Sequence, residues 1–248
     1  MTSIRKTLFI SDLHLEESQP QLTHQFLSFL QSCDPSSVDA LYILGDFFEA
    51  WIGDDHETPL HSTLIKALKS ATEAGLTIYF MHGNRDFLVG QRFMQQTGCQ
   101  LLAEETKIML YHTPVLLLHG DTLCTKDQAY LKTRKKLRHP LIQKLFLWLP
   151  LSMRKKIAAN MRATSKQYTQ SASSETMDAV QTTVVQTMQK HAATHLIHGH
   201  THKPGFHQFK FISNDIGLRL VLGAWHERGN VLIWHASGKK ELIEFRNE

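Results

Sequence analysis

The stretch TLFISDLH, residues 7–14, decides how this chain is read. Its first five residues form an apolar run too short for a helix, rich in β-branched and aromatic side chains, which is the profile of a buried strand. The run breaks into Asp12 and His14, two metal-capable side chains one residue apart. The same arrangement recurs four times. ALYIL (40–44) runs into Gly45, Asp46 and, after two phenylalanines, Glu49. TIYFM (77–81) runs into Gly83-Asn84-Arg85-Asp86. VLLL (115–118) leads to His119-Gly120-Asp121, and HLIH (195–198) to Gly199-His200-Thr201-His202. In α/β folds, ligands bind beyond the carboxyl ends of strands. Five strands delivering Asp, His and Asn to one edge predict one site.

Between these runs, Leu22–Leu30 and Leu60–Ala74 carry apolar residues at three- and four-residue spacing, the mark of amphipathic helices. The tail differs. RLVLGAW (219–225), NVLIWHA (230–236) and KELIEFR (240–246) follow one another with short breaks and read as an antiparallel meander. Both patterns fit an α/β (α+β) protein built as a two-sheet β-sandwich flanked by helices. Residues 125–185 show no convincing strand. Helices are expected over Gln128–Arg138, Leu141–Leu149, Met153–Arg162 and Glu175–Lys190, broken by Pro140 and Pro150. Thr169–Ser174 reads as a loop. The expected organisation is a core of residues 1–124 and 186–248 with an inserted helical lid at 125–185.

The chain has 248 residues, enough for one sizeable core, and a formal net charge of +4. That charge is unevenly spread: between Gln128 and Ser174 there are eleven Lys and Arg and no Asp or Glu, so the rest of the chain is net acidic. A basic block on an acidic body suggests an anionic partner, the alternative being a solvated helical face. Leu141, Ile142, Leu145, Phe146, Leu147, Trp148, Leu149 and Leu151 cluster beside Arg154-Lys155-Lys156, which suits a helix resting on an anionic membrane surface or holding a lipid. Cys33, Cys99 and Cys124 form no disulfide framework, and MTSIRKTLFISD lacks an apolar core for a signal peptide. A cytoplasmic protein is expected.

The chemistry follows from the donors. Hard oxygens mixed with imidazole nitrogens suit Mn²⁺, Fe²⁺ or Zn²⁺ better than Ca²⁺ or Mg²⁺. Asp12, His14, Asp46, Asn84, His119, His200 and His202 exceed what one ion needs, and a carboxylate such as Asp46 can serve two. In Asp12-x-His14 and His200-x-His202, extended backbone would aim both donors to one side. Two adjacent metals can activate a bridging water and clamp a phosphoryl group during in-line attack.

The ordered set DxH, GDxxE, GNRD, HGD, GHTH resembles the signature of the calcineurin-like metallophosphoesterases over most of the chain. The resemblance implies the metallophosphoesterase fold, with Asp12, His14, Asp46 and His202 holding one metal and Asp46, Asn84, His119 and His200 the other. Many relatives place His after the Asn of the third motif, a plausible general acid. Here that residue is Arg85, which binds phosphate but gives up no proton. It favours a leaving group that needs none, such as a phosphate with its second pKa of about 6. Arg85 would otherwise be a structural partner of Asp86.

LFISDLHLEE, ALYILGDFFEAWIGDD, HGNRDFLVG, HGDTLCTKD, LFLWLPLSMRKKIAANMRATSK, HLIHGHTHKP and LVLGAWHERG resemble, more narrowly, the UDP-2,3-diacylglucosamine diphosphatase family of lipid A biosynthesis. That implies hydrolysis of UDP-2,3-diacylglucosamine to UMP and 2,3-diacylglucosamine 1-phosphate by water attack on the α-phosphorus. It implies two Mn²⁺, with Fe²⁺ or Zn²⁺ as alternatives. Asp46, Asn84 and Arg85 would be catalytic, and Asn84, Arg85, Asp127, Ser165, Thr169 and His200 would contact substrate. The lid would lie on the cytoplasmic face of the inner membrane, with no nucleic acid and no obligate protein partner. The family pattern often has Asn at Thr169 and Lys at Ala172, so the polar grip of the lid departs from it there, with Lys166 available to compensate. The rival reading is a two-metal phosphodiesterase or nuclease drawn to nucleic acid by the basic block, and a second is a non-catalytic scaffold. The Leu/Phe/Trp cluster weighs against the first and the complete donor set against the second.

Overall fold

The computed structural model describes residues 5–171, 173, 176–226 and 228–245, and the side chains of 169–171 lie outside that description. The chain begins β1 (Lys6–Ile10), α1 (Pro20–Gln31), β2 (Val38–Leu44), α2 (Pro59–Glu73), β3 (Ile78–Met81), α3 (Gln91–Thr97), β4 (Gln100–Leu101), β5 (Thr106–Leu110) and β6 (Thr113–Leu117). It continues α4 (Gln128–Leu137), α5 (Pro140–Trp148), α6 (Leu151–Ser171), α7 (Gln181–Lys190), β7 (His195–His198), β8 (Gly205–Lys210), β9 (Ile216–Val221), β10 (Gly229–His235) and β11 (Lys240–Phe245). One sheet has the order β11-β10-β1-β2-β3-β4, the other β5-β6-β7-β9-β8.

The two-residue period of the strands builds the layers. Phe9, Tyr42, Leu44, Met81 and Trp234 of the first sheet meet Val115, Leu117, Ile197 and Leu220 of the second across the sandwich. Leu8, Ile10, Leu41, Ile43 and Phe80 point the other way, onto Phe26 and Phe29 of α1, Leu64 and Leu68 of α2 and Phe93 of α3. Leu116 and Leu196 do the same on the second sheet, against Val184 and Met188 of α7. Each such side chain, fully buried, contributes about 1.5–3 kcal/mol. The central strands β1, β2 and β3 run parallel, as do β6, β7 and β9, so the motif loops gather at strand carboxyl ends.

Three expectations change. The tail is not a single meander. β9 lies in the second sheet, parallel to β7 and antiparallel to β8, while β10 and β11 form a hairpin on β1 in the first. The crossing is held by Trp225, whose N–H donates to the Asp12 carbonyl at 3.0 Å and whose buried ring packs on Phe26 and Phe29. Apolar periodicity records burial, and it is silent about which sheet does the burying. Next, α6 runs on through Ser171, so Thr169–Ser171 is helical; no Pro or Gly interrupts it. Ala172 lies outside the described residues. Finally, the helix expected over Glu175–Lys190 starts only at Gln181 as α7, and the boundary at 185 cuts it; its Val184 and Met188 are fully buried on the sheet. α7 packs as part of the core layer, and only α4, α5 and α6 stand over the motif loops.

Candidate active site

The donors sit on strained backbone. Asp12, His14, Asp46, His200 and His202 all have positive φ, between 50° and 65°, the left-handed region that non-glycine residues rarely adopt. Such strain costs about 1–3 kcal/mol per residue and persists where surrounding structure enforces it. The donors in the DxH and GHTH loops are therefore turned by left-handed backbone, correcting the expectation of an extended segment. Gly83 and Gly199 must be glycine for the same close fit: a Cβ on Gly83 would strike the Asp46 carboxylate, and one on Gly199 the Asp12 carboxylate.

Asp12 is fully buried. Its Oδ2 accepts from Ser11 Oγ at 2.5 Å and from the His200 N–H at 2.9 Å, while Oδ1 has no hydrogen-bond partner and lies 3.4 Å from His202 Nε2. Burial pushes this carboxyl up, but His202 and the charges of His119 and His14 outweigh it and hold it far below the usual range. Asp46 takes the centre. Its Oδ1 accepts the Arg85 N–H at 2.8 Å, and its Oδ2 lies 3.9 Å from His14 Nε2 and 3.7 Å from His119 Nε2. Asn84 Oδ1 sits 3.0 Å from His119 Nε2 and 2.9 Å from His200 Nδ1. His14 and His202 turn their Nε2 atoms to each other at 3.5 Å.

These contacts fit metal ions. His119 Nδ1 donates to the Leu44 carbonyl at 2.8 Å, which leaves Nε2 as a lone pair aimed at Asp46 and Asn84. Burial, then the neighbouring His119 charge, push His200 down to about 4, so at pH 7 its imidazole is neutral and free to act as a ligand. Facing imidazole lone pairs beside an unsatisfied buried carboxylate oxygen is an arrangement that a cation stabilises. Ligand atoms of Asp12, His14 and His202 lie within 4.8 Å of one another, as do those of Asp12, Asp46 and His119. All seven sequence-predicted donors converge here, with Asp12 common to both groups and Asp46 Oδ2 between His14 and His119.

Arg85 does not pair with Asp86. Asp86 is fully buried, with one oxygen accepting the Gly83 N–H at 2.7 Å and the other the Phe47 N–H at 2.8 Å. Burial, with Asp46 nearby, pushes it up to about 6. Among the described residues Arg85 Nε has no partner, though it is buried. Arg85 and Asn84 line one end of a cavity of about 500 Å³ roofed by α4, α5 and α6. The other walls are largely apolar, with Trp51, Ile52, Leu88, Leu137, Phe146 and Met161, while Glu49, Asn160 and Arg162 add polar groups. Ser165 also lines it. Asp127 instead caps α4, accepting from the Tyr130 N–H at 2.9 Å and from Tyr168 Oη at 2.8 Å, both tyrosines being cavity walls. His200 stays with the metal-type donors, and the Thr169 side chain lies outside the described residues. Sequence reading passed over Tyr130, Tyr168, Arg162 and Glu49. Only Glu49 had a signal, as the last residue of the quoted GDFFE.

Residues 5–204 match the calcineurin-like phosphoesterase family profile, and the chain belongs to that family. Within it, the chain is 53% identical over 239 residues to the UDP-2,3-diacylglucosamine hydrolase of Klebsiella pneumoniae, covering 96% of this chain and 98% of the relative. It matches the protein of that name from Serratia proteamaculans to the same extent, and the one from Escherichia coli O81 at 49% over the same coverage.

Proposed function

We propose that this chain is a metal-dependent hydrolase that cleaves the diphosphate of UDP-2,3-diacylglucosamine in lipid A biosynthesis, releasing UMP and 2,3-diacylglucosamine 1-phosphate. One observation carries the reading: the metal-type donors open, at Asn84 and Arg85, directly into an apolar cavity of about 500 Å³, beside which a diphosphate joined to acyl chains has a place for each part. The relatives' names agree with it.

Two Mn²⁺ held by Asp12, His14, Asp46, Asn84, His119, His200 and His202 would supply Lewis acidity toward the phosphoryl oxygens and the attacking water. The protein's own groups position and neutralise. Arg85, whose buried Nε has no partner among the described residues, is placed to bind the diphosphate, and Asn84 holds the substrate's position beside it. Ser165 offers a hydroxyl on the lid side. Attack at the α-phosphorus expels a phosphate monoester, which leaves without a proton donor, consistent with Arg85 where an acid would otherwise stand. The exposed apolar residues of α5 beside the cations of α6 would rest on the cytoplasmic face of the inner membrane. Among the described residues no helix is long and apolar enough to cross a membrane.

Hydrolysis in ¹⁸O-water tests the reaction. Label in UMP supports attack on the α-phosphorus. Label in the lipid phosphate reverses the leaving group and removes the role given to Arg85. Failure to turn over the UDP-lipid with Mn²⁺, with cleavage of nucleic acid instead, overturns the substrate.

A further inference from the structure

Glu49 closes the second motif, and its backbone is stitched to the first. Phe48 bridges Leu15, and the Glu49 N–H donates to the Leu15 carbonyl at 3.1 Å. This seats the carboxylate beside His14, with Oε2 2.9 Å from His14 Nδ1, a close charge contact that falls short of hydrogen-bond alignment. Its other oxygen, Oε1, is ion-paired with Arg162 of α6, a wall of the cavity. Glu49 thus stands between a metal-type donor and the roof.

His14 needs such a partner more than His119 does. His119 is buried and tied by its Nδ1 to a main-chain carbonyl. The His14 side chain is 17% exposed, on left-handed backbone. Its Nε2 faces Asp46 and His202. A carboxylate this close to Nδ1 favours the Nδ1–H tautomer, which leaves the Nε2 lone pair to the metal, and a small turn of the ring completes the hydrogen bond.

We propose that Glu49 is a positioning residue that orients His14 toward the metal through one carboxylate oxygen and anchors α6 through Arg162 with the other. This rests on the two-metal reading above. It makes metal loading and the seating of the roof share one side chain.

The test reads Mn²⁺ affinity from the free-ion paramagnetic resonance signal and helix opening from amide hydrogen exchange in 151–168. The proteins are wild type, E49A, E49Q and R162A, with melting of the metal-free forms as a folding check. E49A is expected to weaken the loosest-held Mn²⁺ about 10–100-fold, the usual effect of losing a partner that orients a metal ligand. E49Q, which keeps an oxygen for His14 Nδ1–H, loses less. R162A leaves the His14–Glu49 contact intact and holds Mn²⁺ within about threefold of wild type by that logic, yet exchanges faster in α6, as E49A does. Wild-type Mn²⁺ affinity in E49A overturns the orienting role. Unchanged α6 exchange in both E49A and R162A overturns the anchoring role. If the wild type itself fails to take up two Mn²⁺, the metal reading falls and this inference with it.

Discussion

Arg154 of α6 and Asp55 of the β2–α2 loop form a forked ion pair: Nη1 donates to Oδ1 at 2.7 Å while Nη2 reaches Oδ2. Nη1 also donates to the Ile52 carbonyl at 2.7 Å, and Nε to the Leu149 carbonyl at 3.0 Å. Arg154 is 2% exposed, and its guanidinium lies over Gly53, whose φ is +132° and where any Cβ would collide with Nη1. This explains why EAWIGDD and the RKK stretch belong together: one is the socket for the other.

Replacing Arg154 should therefore free the start of α6 while sparing the metal donors. R154A is expected to cost about 2 kcal/mol in stability, the net value of the lost hydrogen bonds with the half-exposed Asp55 side discounted. R154K should not rescue it, because a point charge cannot span both oxygens. Limited proteolysis within 125–171 should quicken, and hydrolysis of the lipid substrate should fall while a small chromogenic phosphodiester is still cleaved. Unchanged protease resistance with unchanged lipid turnover would refute this role.

Asp46 Oδ2 lies 3.9 Å from His14 Nε2 on one side and 3.7 Å from His119 Nε2 on the other. D46N keeps an oxygen for the Arg85 N–H but removes the charge that two metals would share. The expected result is loss of turnover by about 10³-fold or more, the scale of removing a central electrostatic element of a site. Metal analysis should show fewer than two ions per chain. Substantial activity with two ions bound would mean that Asp46 is not shared.

The residues that the structure gathers at the strand ends were readable because each is local to its motif: a short apolar run ending in Asp, His or Asn needs no knowledge of the rest of the chain. What joins one motif to another was not. Nothing in GDFFE says that Glu49 reaches His14, nor does any spacing place Tyr168 on Asp127. RLVLGAW looks like one strand, yet Val221 ends β9 and Trp225 already belongs to the core under the other sheet. β8 escaped because GFHQFK is largely exposed, and an edge strand without a buried face has no apolar period to show. Partner choice across long sequence separations is settled by packing, which one-dimensional patterns do not carry.

Asp121 provides a pH handle. It is buried, accepting from Tyr130 Oη at 2.6 Å and Arg134 Nε at 2.5 Å, and so ties α4 to the fourth motif. Burial alone would raise its pKa, but the charges of His119, Arg134 and His200 hold it far below the ordinary carboxylate range. A depressed folded-state pKa means that the stabilisation is fully present above the unfolded value of about 3.9 and is lost as pH falls below it. In metal-free protein, D121N should be less stable than wild type by about 3 kcal/mol at pH 7, the lower end for breaking a buried pair. Denaturant titrations should show that gap closing below about pH 4. A gap that stays constant down to pH 3 would assign the loss to packing rather than charge.

The last prediction concerns α5. Trp148 is 81% exposed, Leu141 64% and Leu145 58%, all at helical spacing along one side, and Ile142 adds 44%. Lys144 lies on the same helix, and Lys155 and Lys156 are exposed at the start of α6. Solvated apolar residues at this density find a lower free energy in the headgroup boundary of an anionic bilayer, where the lysines also gain. W148E combined with L145E should weaken sedimentation with vesicles containing phosphatidylglycerol by at least about tenfold, since one buried apolar side chain is already worth that much. Raised salt should weaken wild-type binding through screening of the lysines but leave an apolar remainder. Turnover of a short-chain, water-soluble analogue should be unaffected, because these exposed positions do not line the cavity. If the double variant sediments like wild type, the exposed face serves some other contact and the membrane assignment fails.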